Sequence, residues 1–402
     1  MSLNDTPRSE RLHIGIFGRR NNGKSSLINA VTGQSVALVS DVAGTTADPV
    51  YKAMEIHGIG PVTLIDTAGF DDVGALGALR VEKTREALDK TDVALIVFTD
   101  GDCTEELTWL EEISRRKIPA VAVLNKTDAM TSERRAALLA QIKEKTGLDA
   151  VPVSAAEGTG IAALREEIAR KIPELGPDPA ITGDLCREGD TVVLVMPQDI
   201  QAPKGRLILP QVQTIRELLD KKCLPLCVTT DKLAQGLAAL KEPPALVIVD
   251  SQTFRTVAPL IPSQVPLTSF SILFAGYKGD IAVFAEGAKA MAGLTEHSRV
   301  LIAEACTHKP LREDIGRVKL PRLLKKKLGE GIAVTVTAGH DFPEDLAPYD
   351  LVIHCGACMF NRAYVMSRVA ACRRAHVPMT NYGMAIAALL GILDDVVIPG
   401  VD

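Results

Sequence analysis

The stretch HIGIFGRRNNGKSS, residues 13–26, decides the fold of the first part of the chain. It fits G-x-x-x-x-G-K-[ST] directly after a β-branched run and at the start of a helical pattern, the context that a phosphate-binding P-loop requires. Glycines let the backbone N–H groups turn toward phosphate oxygens, Lys24 reaches the β- and γ-phosphates, and Ser25 offers a hydroxyl to Mg²⁺. The residues of this loop that we expect at the nucleotide are Gly18, Asn21, Asn22, Gly23, Lys24, Ser25 and Ser26.

Three further motifs follow in the order that a guanine-nucleotide site needs. In DTAG, 66–69, Asp66 ends a strand and can hold the metal through water, while the N–H of Gly69 can meet the γ-phosphate. In NKTD, 125–128, the carboxylate of Asp128 can accept from guanine N1–H and the 2-amino group, which adenine lacks. The bracing residues Asn125 and Lys126, and the loop residues Ser154 and Ala155, whose backbone can reach guanine O6, complete the predicted GTP site.

Short β-branched runs alternate with helical patterns through most of the chain, which predicts α/β architecture with parallel sheets. The stretch PELGPDPAITGDLCREGD, 173–190, is rich in Pro, Gly and Asp and interrupts the alternation, so we expect a linker there. A further series of strands and helices follows from about residue 270, and we place a soft boundary before it near 262–272. LTSFSILF, 267–274, is read as a strand of the middle region. The predicted divisions are a P-loop domain at 1–172, a linker at 173–189, a middle α/β domain at 190–265 and a last α/β domain at 266–402.

Composition excludes several classes of protein. The chain has 45 basic and 50 acidic residues, a net charge of −5, which gives no general attraction to nucleic acid or anionic lipid. It has no apolar run of eighteen or more residues, and its polar N-terminus does not look like a secretory signal. We therefore expect a cytoplasmic protein with reduced thiols, of which some serve metal or catalytic chemistry.

The set GRxNxGKSS, DxxGTTxD, DTAG and NKTD resembles the TrmE–Era–EngA group of GTPases over residues 12–172. By that resemblance Thr46 ligates Mg²⁺ when GTP orders the loop containing Thr45 and Thr46, and Asn21 helps to hold K⁺ against the phosphates. Phe70 follows DTAG where Ras-type enzymes place the water-orienting Gln. The resemblance thus implies a K⁺-stimulated GTPase in which Lys24, Asn21, Thr46 and Gly69 serve hydrolysis.

Soft metal ligands form a second constellation near the end of the chain. Cys306 follows the strand RVLIAEA, while Cys355 and Cys358 follow the strand YDLVI, and the carboxyl ends of parallel strands lie together. Three thiolates suit an iron–sulfur cluster or zinc. His308 and His354 can each be the fourth ligand or a group that hydrogen-bonds the metal's ligands. The remaining cysteines, which we read as buried small apolar residues, are 103, 186, 223, 227 and 372.

The pattern CxHx₄₅HCxxC behind a GTPase domain resembles the family of [FeFe]-hydrogenase maturation GTPases, HydF, from end to end. The resemblance implies a homodimer formed by the middle domain and a [4Fe–4S] cluster on Cys306, Cys355 and Cys358. It further implies a scaffold that receives a diiron precursor from radical-SAM maturases and delivers it to apo-[FeFe]-hydrogenase, with GTP as a switch. A tRNA- or ribosome-linked GTPase and an electron-transfer protein are the rival readings. The acidic charge disfavours the first, and the lack of a fourth thiolate disfavours the second.

Overall fold

The computed structural model describes residues 6–33, 49–56, 59–67, 69, 75–172, 179–197, 207–305, 314–339 and 341–400, of which 75–80 by backbone alone. Thr45, Thr46, Phe70, Cys306 and His308 lie outside these ranges. The chain forms two compact units, Met1–Pro177 and Asp178–Asp402, and each is described by itself. None of the described helices is long and apolar enough to cross a membrane.

The described part of the first unit contains a six-stranded sheet in the order β2-β3-β1-β4-β5-β6. Every neighbouring pair except β2 and β3 is parallel. The strands are β1 (Leu12–Phe17), β2 (Val50–Ile56), β3 (Gly60–Asp66), β4 (Val93–Phe98), β5 (Ala120–Leu124) and β6 (Val151–Pro152). The helices are α1 (Lys24–Thr32), α2 (Ala75–Leu88), α3 (Thr104–Arg115), α4 (Ser132–Thr146) and α5 (Ile161–Lys171).

Helices cover both faces of this sheet, as the alternation in the sequence predicts. Leu95 of β4 packs in a cluster with residues of α1 and α5, whereas Ile96 packs in a second cluster with residues of α3 and α4. Successive side chains of a strand point to opposite faces, so a strand covered on both sides reads as continuously apolar. The P-loop α/β fold of the first domain is confirmed.

The antiparallel edge strand β2 was not predicted. Its sequence VYKAMEI is mostly half-buried or exposed, and it pairs with β3 from Val50 opposite Asp66 to Ile56 opposite Gly60. Only three residues separate the two strands, and a connection this short can join only antiparallel neighbours. The edge position explains why the strand has no apolar period that the sequence could reveal.

Two four-stranded parallel sheets build the described part of the second unit, in the orders β10-β9-β7-β8 and β12-β11-β13-β14. The strands are β7 (Thr191–Val195), β8 (Leu224–Val228), β9 (Leu246–Val249), β10 (Leu267–Ser269), β11 (Arg299–Glu304), β12 (Ala333–Ala338), β13 (Leu351–His354) and β14 (Met379–Asn381). The helices are α6 (Leu209–Asp220), α7 (Leu233–Ala238), α8 (Phe254–Val257), α9 (Phe270–Lys278), α10 (Ile281–Ala290), α11 (Leu320–Leu328), α12 (Arg362–Ala375) and α13 (Tyr382–Leu390).

The two sheets repeat one arrangement, because in each the first strand lies between the second and the third and the fourth is at the far edge. The sequence repeats with it: VPLTSFSILFAGYKG at 265–279 matches VPMTNYGMAIAALLG at 377–391. Each stretch is a short strand followed by a helix whose N-cap side chain, Ser269 or Asn381, accepts a backbone N–H of the first turn. LTSFSILF is therefore not one strand, because the cap at Ser269 ends β10 and starts α9.

The repeated helices meet at equivalent positions. The hydroxyl of Ser271 in α9 accepts the N–H of Gly383 in α13 at 3.0 Å, and Asn381 donates to the Ser271 carbonyl at 2.6 Å. A Cβ at Gly383 would lie 2.8 Å from that of Ser271, so the approach requires glycine. Residues of both sheets share one hydrophobic cluster. The second unit is thus a pair of similar α/β halves on a common core.

The end of the predicted linker packs on this unit. Glu217 of α6 accepts the N–H groups of Ile181 and Thr182 at 2.5 and 2.8 Å and the Thr182 hydroxyl at 2.6 Å. Ile181 and Cys186 are buried in the same apolar cluster as strand β7. The carboxylate of Glu217 therefore fixes the point at which the chain enters the second unit. The limits at 172, 189 and 265 stay predictions.

Candidate functional site

The P-loop joins β1 to α1, and its glycines are required by close contacts. A Cβ at Gly18 would lie 2.7 Å from the Val97 carbonyl oxygen, and one at Gly23 would lie 2.5 Å from Asn125 Nδ2. Gly23 also has φ 80°, in the left-handed region that glycine tolerates best. The exposed residue Asn21 shares this conformation with φ 60°. The loop is therefore held against β4 and the NKTD segment.

Lys24 and Asp66 place opposite charges at the mouth of this loop. Lys24 Nζ donates to the carbonyl oxygens of Gly18 and Arg19 at 2.8 and 2.9 Å, so the ammonium lies inside the loop that would receive phosphates. Ser25 Oγ donates to Asp66 Oδ2 at 2.7 Å, which brings together the two predicted Mg²⁺ groups. Burial raises the pKa of Asp66, while the Ser25 hydrogen bond and the Lys24 charge oppose that effect. A divalent cation would compensate this buried carboxylate.

The DTAG segment is fixed to β1, because the Thr67 hydroxyl donates to the Ile16 carbonyl at 2.6 Å. Gly69, two residues after Thr67, is buried, whereas Ser26 on α1 is half-buried. The described residues thus contain the Mg²⁺ candidates Ser25 and Asp66 but not Thr46.

Asn125 connects three of the predicted motifs. Its Nδ2 donates to the Asn22 carbonyl at 2.9 Å, and its Oδ1 accepts the N–H of Ala155 at 3.1 Å. Ser154 Oγ donates to Asp128 Oδ1 at 2.6 Å, which orients the carboxylate expected to select guanine. Asp128 itself is exposed. Lys126 is exposed with φ 61°. Its Cε would lie 3.9 Å from a Cβ added at Gly23.

Two contacts of the P-loop were missed in the sequence. Arg19 donates to Asp100 at 2.6 Å and to Glu106 at 2.9 Å, and Glu106 is fully buried. Asn22 Nδ2 donates to the Val97 carbonyl at 2.6 Å, and its Oδ1 accepts the Thr99 hydroxyl at 3.0 Å. These side chains fasten the loop to the segment after β4. The acidic run TDGDCTEE, 99–106, was the available signal.

The cysteine site lies where the strand order of the last sheet reverses, between β11 and β13. In parallel sheets such a reversal opens a crevice at the carboxyl ends of the strands, where ligands bind. Ala303 is opposite His354, so the two strands end together. The N–H of Cys355 donates to the Ala303 carbonyl at 3.0 Å, and Cys355 Sγ accepts the N–H of Ala305 at 3.1 Å. Cys355 is therefore seated against the residue that precedes Cys306 in the chain.

Cys358 ends a tight turn after Cys355. Ala357 has φ 46°, and Cys355 and Cys358 are both half-buried. Burial raises the pKa of Cys358, and the neighbouring Cys355 adds to this effect. The next helix, α12, begins at Arg362, four residues after this thiol. Among the described residues no three His, Cys, Asp or Glu side chains form a metal-binding group.

His354 is buried, and each of its two ring nitrogens lies within hydrogen-bond distance of another group of the chain. Its Nδ1 lies 2.6 Å from the Cys355 carbonyl oxygen, and its Nε2 lies 3.0 Å from Arg368 Nη1. Of the five remaining cysteines, 103, 186, 223 and 372 are buried as expected. The expectation for Cys227 is wrong, since it is exposed on β8, an edge strand.

Three family models match the chain. The model described as "50S ribosome-binding GTPase" matches residues 13–126. The models described as "Hydrogen maturase F dimerization domain" and "Hydrogen maturase F tetramerization domain" match residues 181–279 and 282–399. Each of the last two covers one of the repeated halves of the second unit.

Relatives match about two fifths of the chain. A tRNA modification GTPase MnmE from Laribacter hongkongensis is 34% identical over 166 residues, 40% of this chain and 35% of the relative. A GTPase Der from Wolinella succinogenes is 36% identical over 170 residues, 40% of this chain and 35% of the relative. The chain thus spans about a third of the length of these curated relatives.

Solved structures of GTPases are also similar. A crystal structure of Era from Aquifex aeolicus bound to GDP·AlF₄⁻ has 21% identity, covers 57% of this chain and 98% of its own, and gives a TM-score of 0.38. A crystal structure of NFeoB from S. thermophilus bound to GDP·AlF₄⁻ and K⁺ has 21% identity and a TM-score of 0.31. The match covers 40% of this chain and 61% of the NFeoB chain.

Proposed function

The chain belongs to the hydrogen maturase F family, and from that premise we propose that it is a GTP-hydrolysing scaffold for [FeFe]-hydrogenase maturation. It would hold a [4Fe–4S] cluster on Cys306, Cys355 and Cys358, receive a diiron precursor from radical-SAM maturases and deliver it to apo-hydrogenase. The observation that carries the proposal is the hydrogen bond that Cys355 Sγ accepts from the N–H of Ala305, the residue directly before Cys306.

The residues present fit such a cluster. Cysteine thiolates are its usual protein ligands, and two of the three, Cys355 and Cys358, lie three positions apart at a strand-order reversal. The N–H of Ala305 donates to Cys355 Sγ, a kind of contact that tunes cluster sulfurs. When bound, the cluster would supply a soft iron position at which a ligand of the diiron cargo can be held and exchanged.

GTP hydrolysis would use the groups around the P-loop. Lys24 would leave the carbonyls of Gly18 and Arg19 and turn its ammonium to the phosphates, while Ser25 and Asp66 would hold Mg²⁺. Asp128, oriented by Ser154, would read the guanine edge. Asn21, exposed at the tip of the loop, would help to hold K⁺, whose charge would oppose the negative charge of the transition state.

Self-association follows from the family, and we assign the homodimer contact to the edge strand β8. Leu224 and Cys227 are exposed on this strand, and Val212 and Leu219 are exposed on α6, which precedes it. The free backbone edge of a terminal strand is a template for pairing with another chain. The exposed leucines would then be covered by a second copy.

Anaerobic reconstitution tests the proposal. Iron and sulfide are measured per chain, with EPR of the reduced protein, for the wild type and for Cys306→Ser, Cys355→Ser and Cys358→Ser. Each variant should lose most of its iron, because two thiolates remain for a soft cluster. Cys227→Ser is the matched control and should keep its iron, since this exposed thiol lies on the other sheet. Full iron in Cys355→Ser would refute the assignment.

A further inference from the structure

The imidazole of His354 is the metal-ligand candidate nearest to the described cysteines, yet both of its nitrogens are already used. The Cys355 carbonyl can only accept, so Nδ1 carries the proton in the 2.6 Å contact. Arg368 can only donate, so Nε2 is the acceptor in the 3.0 Å contact. These partners fix one neutral tautomer. Burial, with the charge of Arg368, lowers the pKa of His354 to about 3, consistent with that neutral form.

Arg368 is itself held firmly inside the domain. It is 4% exposed, and its Nη2 donates to the Gly339 carbonyl and to the Tyr364 hydroxyl, both at 2.5 Å. Its guanidinium lies 4.6 Å from the ring centroid of Tyr364 and 4.8 Å from that of Phe342. Among the described residues it forms no ion pair with a carboxylate, so ring faces and neutral acceptors compensate its charge. A planar fork is required to reach His354, Gly339 and Tyr364 together.

This arrangement has a consequence for the metal site. To ligate iron through Nε2, His354 would have to give up the Arg368 hydrogen bond and leave a buried guanidinium donor unpaired, which is unfavourable. To ligate through Nδ1, it would release the Cys355 carbonyl, which it ties down at the start of the turn to Cys358. In its present orientation the ring braces that turn instead.

We propose that Arg368 is a positioning residue that locks His354 as a brace of the Cys355–Cys358 turn and keeps its imidazole off the iron. The fourth iron position is then left to another ligand, either His308 or a group of the cargo. The inference rests on the proposed cluster, but the lock is a property of the protein without metal.

The lock is measured in metal-free protein by ¹⁵N NMR of labelled histidine, with His354→Ala to assign the signal among the seven histidines. The wild type should show His354 as the Nδ1–H tautomer, with Nε2 unprotonated. Arg368→Met should convert this signal to a tautomer mixture. Arg373→Met, which removes an exposed arginine of the same helix, is the matched control and should leave it unchanged. If Arg368→Met does not fold, Arg368→Lys tests the same loss of the fork. An unchanged His354 tautomer in the folded variant would overturn the proposal.

Iron ligation is read separately by pulsed EPR of the reconstituted, reduced protein. Any histidine nitrogen coupling in the wild type should survive His354→Ala. A coupling that His354→Ala abolishes would overturn the inference while leaving the cluster assignment intact. Failure of the wild type to bind iron would refute the proposed cluster, and the tautomer measurement would still decide the role of Arg368.

Discussion

The side-chain amide of Asn125 donates to the backbone carbonyl of Asn22 at 2.9 Å, across a sequence separation of 103 residues. The same amide accepts the N–H of Ala155, so one buried side chain joins the P-loop, the NKTD segment and the loop after β6. The phosphate end and the base end of the predicted GTP site are thereby held at a fixed distance from each other.

Replacing Asn125 by Ala should therefore weaken both the fold of the first unit and nucleotide binding. The carbonyl of Asn22 and the N–H of Ala155 would lose their partner, a loss of about 1–3 kcal/mol of unfolding free energy. Urea unfolding and titration with a fluorescent GDP analogue measure the two effects. Lys143→Ala, which removes an exposed ion pair with Asp149, is the control and should stay within about 0.5 kcal/mol of the wild type. Equal stability of both variants would contradict the role of Asn125.

Arg19 and Glu106 form a second long-range contact of the P-loop. Glu106 is fully buried, and burial raises its pKa while the hydrogen bond from Arg19 opposes that effect. Arg19→Met should destabilise the first unit by about 3 kcal/mol, because it leaves a buried carboxylate uncompensated. The double variant Arg19→Met/Glu106→Gln should recover most of this loss. The coupling free energy from a double-mutant cycle in urea checks the prediction, and a value near zero would show that the pair contributes nothing.

The motifs of the nucleotide site could be predicted from the sequence because each is local, with its chemistry in consecutive residues. Arg19 could not be assigned a partner, since Asp100 and Glu106 lie more than eighty positions away and several acids compete in that run. The locked state of His354 depends on Arg368, fourteen residues later, and an HCxxC pattern does not distinguish a ligand from a brace.

The repeat in the second unit is visible in the amino-acid sequence. The matched stretches 265–279 and 377–391 would have indicated that LTSFSILF contains a strand-to-helix transition, as its counterpart MTNYGMAI does. Cys227 was misread for another reason: an apolar strand predicts burial only if it is central, and β8 is an edge strand. Position within a sheet is a tertiary property that a single strand's sequence does not contain.

Glu217 gives the second unit a dependence on pH. Burial alone would raise its pKa, but hydrogen bonds from Thr182 and Ile181 and the charge of Lys221 outweigh burial and lower it. A lowered pKa stabilises the fold fully above the unfolded-state value of about 4.3, and the contribution is lost as the pH falls through the folded-state pKa. Glu217→Gln should thus lose about 2 kcal/mol at pH 7 and progressively less below about pH 5.

Urea unfolding of the Glu217→Gln protein between pH 3 and pH 7 measures this dependence. Glu188→Gln is the matched control, because Glu188 is an exposed residue of the same region and pairs only with Lys222 among the described residues. A stability difference for Glu217→Gln that grows as the pH falls would have the wrong sign and would refute the assignment.

The edge strand β8 should mediate dimerisation. Leu224, the first residue of β8, is 60% exposed, and Leu224→Lys would place a charge on the edge of the sheet. We expect the dimer dissociation constant to rise at least tenfold, about 1.4 kcal/mol, without loss of the monomer fold. Sedimentation equilibrium measures it, with Leu260→Lys as the control because Leu260 is 48% exposed and lies outside β8 and α6. If Leu260→Lys alone dissociated the dimer, the interface would lie outside β8.

Hydrolysis of GTP should depend on K⁺ and on the P-loop, but not on the cysteines. Because Phe70 cannot orient water as a Gln does, a cation at Asn21 would have to stabilise the transition state. We expect turnover about tenfold faster in K⁺ than in Na⁺, about 1.4 kcal/mol of activation free energy, and we expect Asn21→Ala to abolish the difference.

Lys24→Ala should lower turnover in both salts. Cys355→Ser should retain the wild-type rates, because the hydrogen bonds of Cys355 to Ala303 and Ala305 lie at the end of the last sheet. Phosphate release and bound iron are measured on the same samples. Equal rates in the two salts would refute the K⁺ site alone, whereas loss of iron in Lys24→Ala would show that the nucleotide site and the cluster site are not independent.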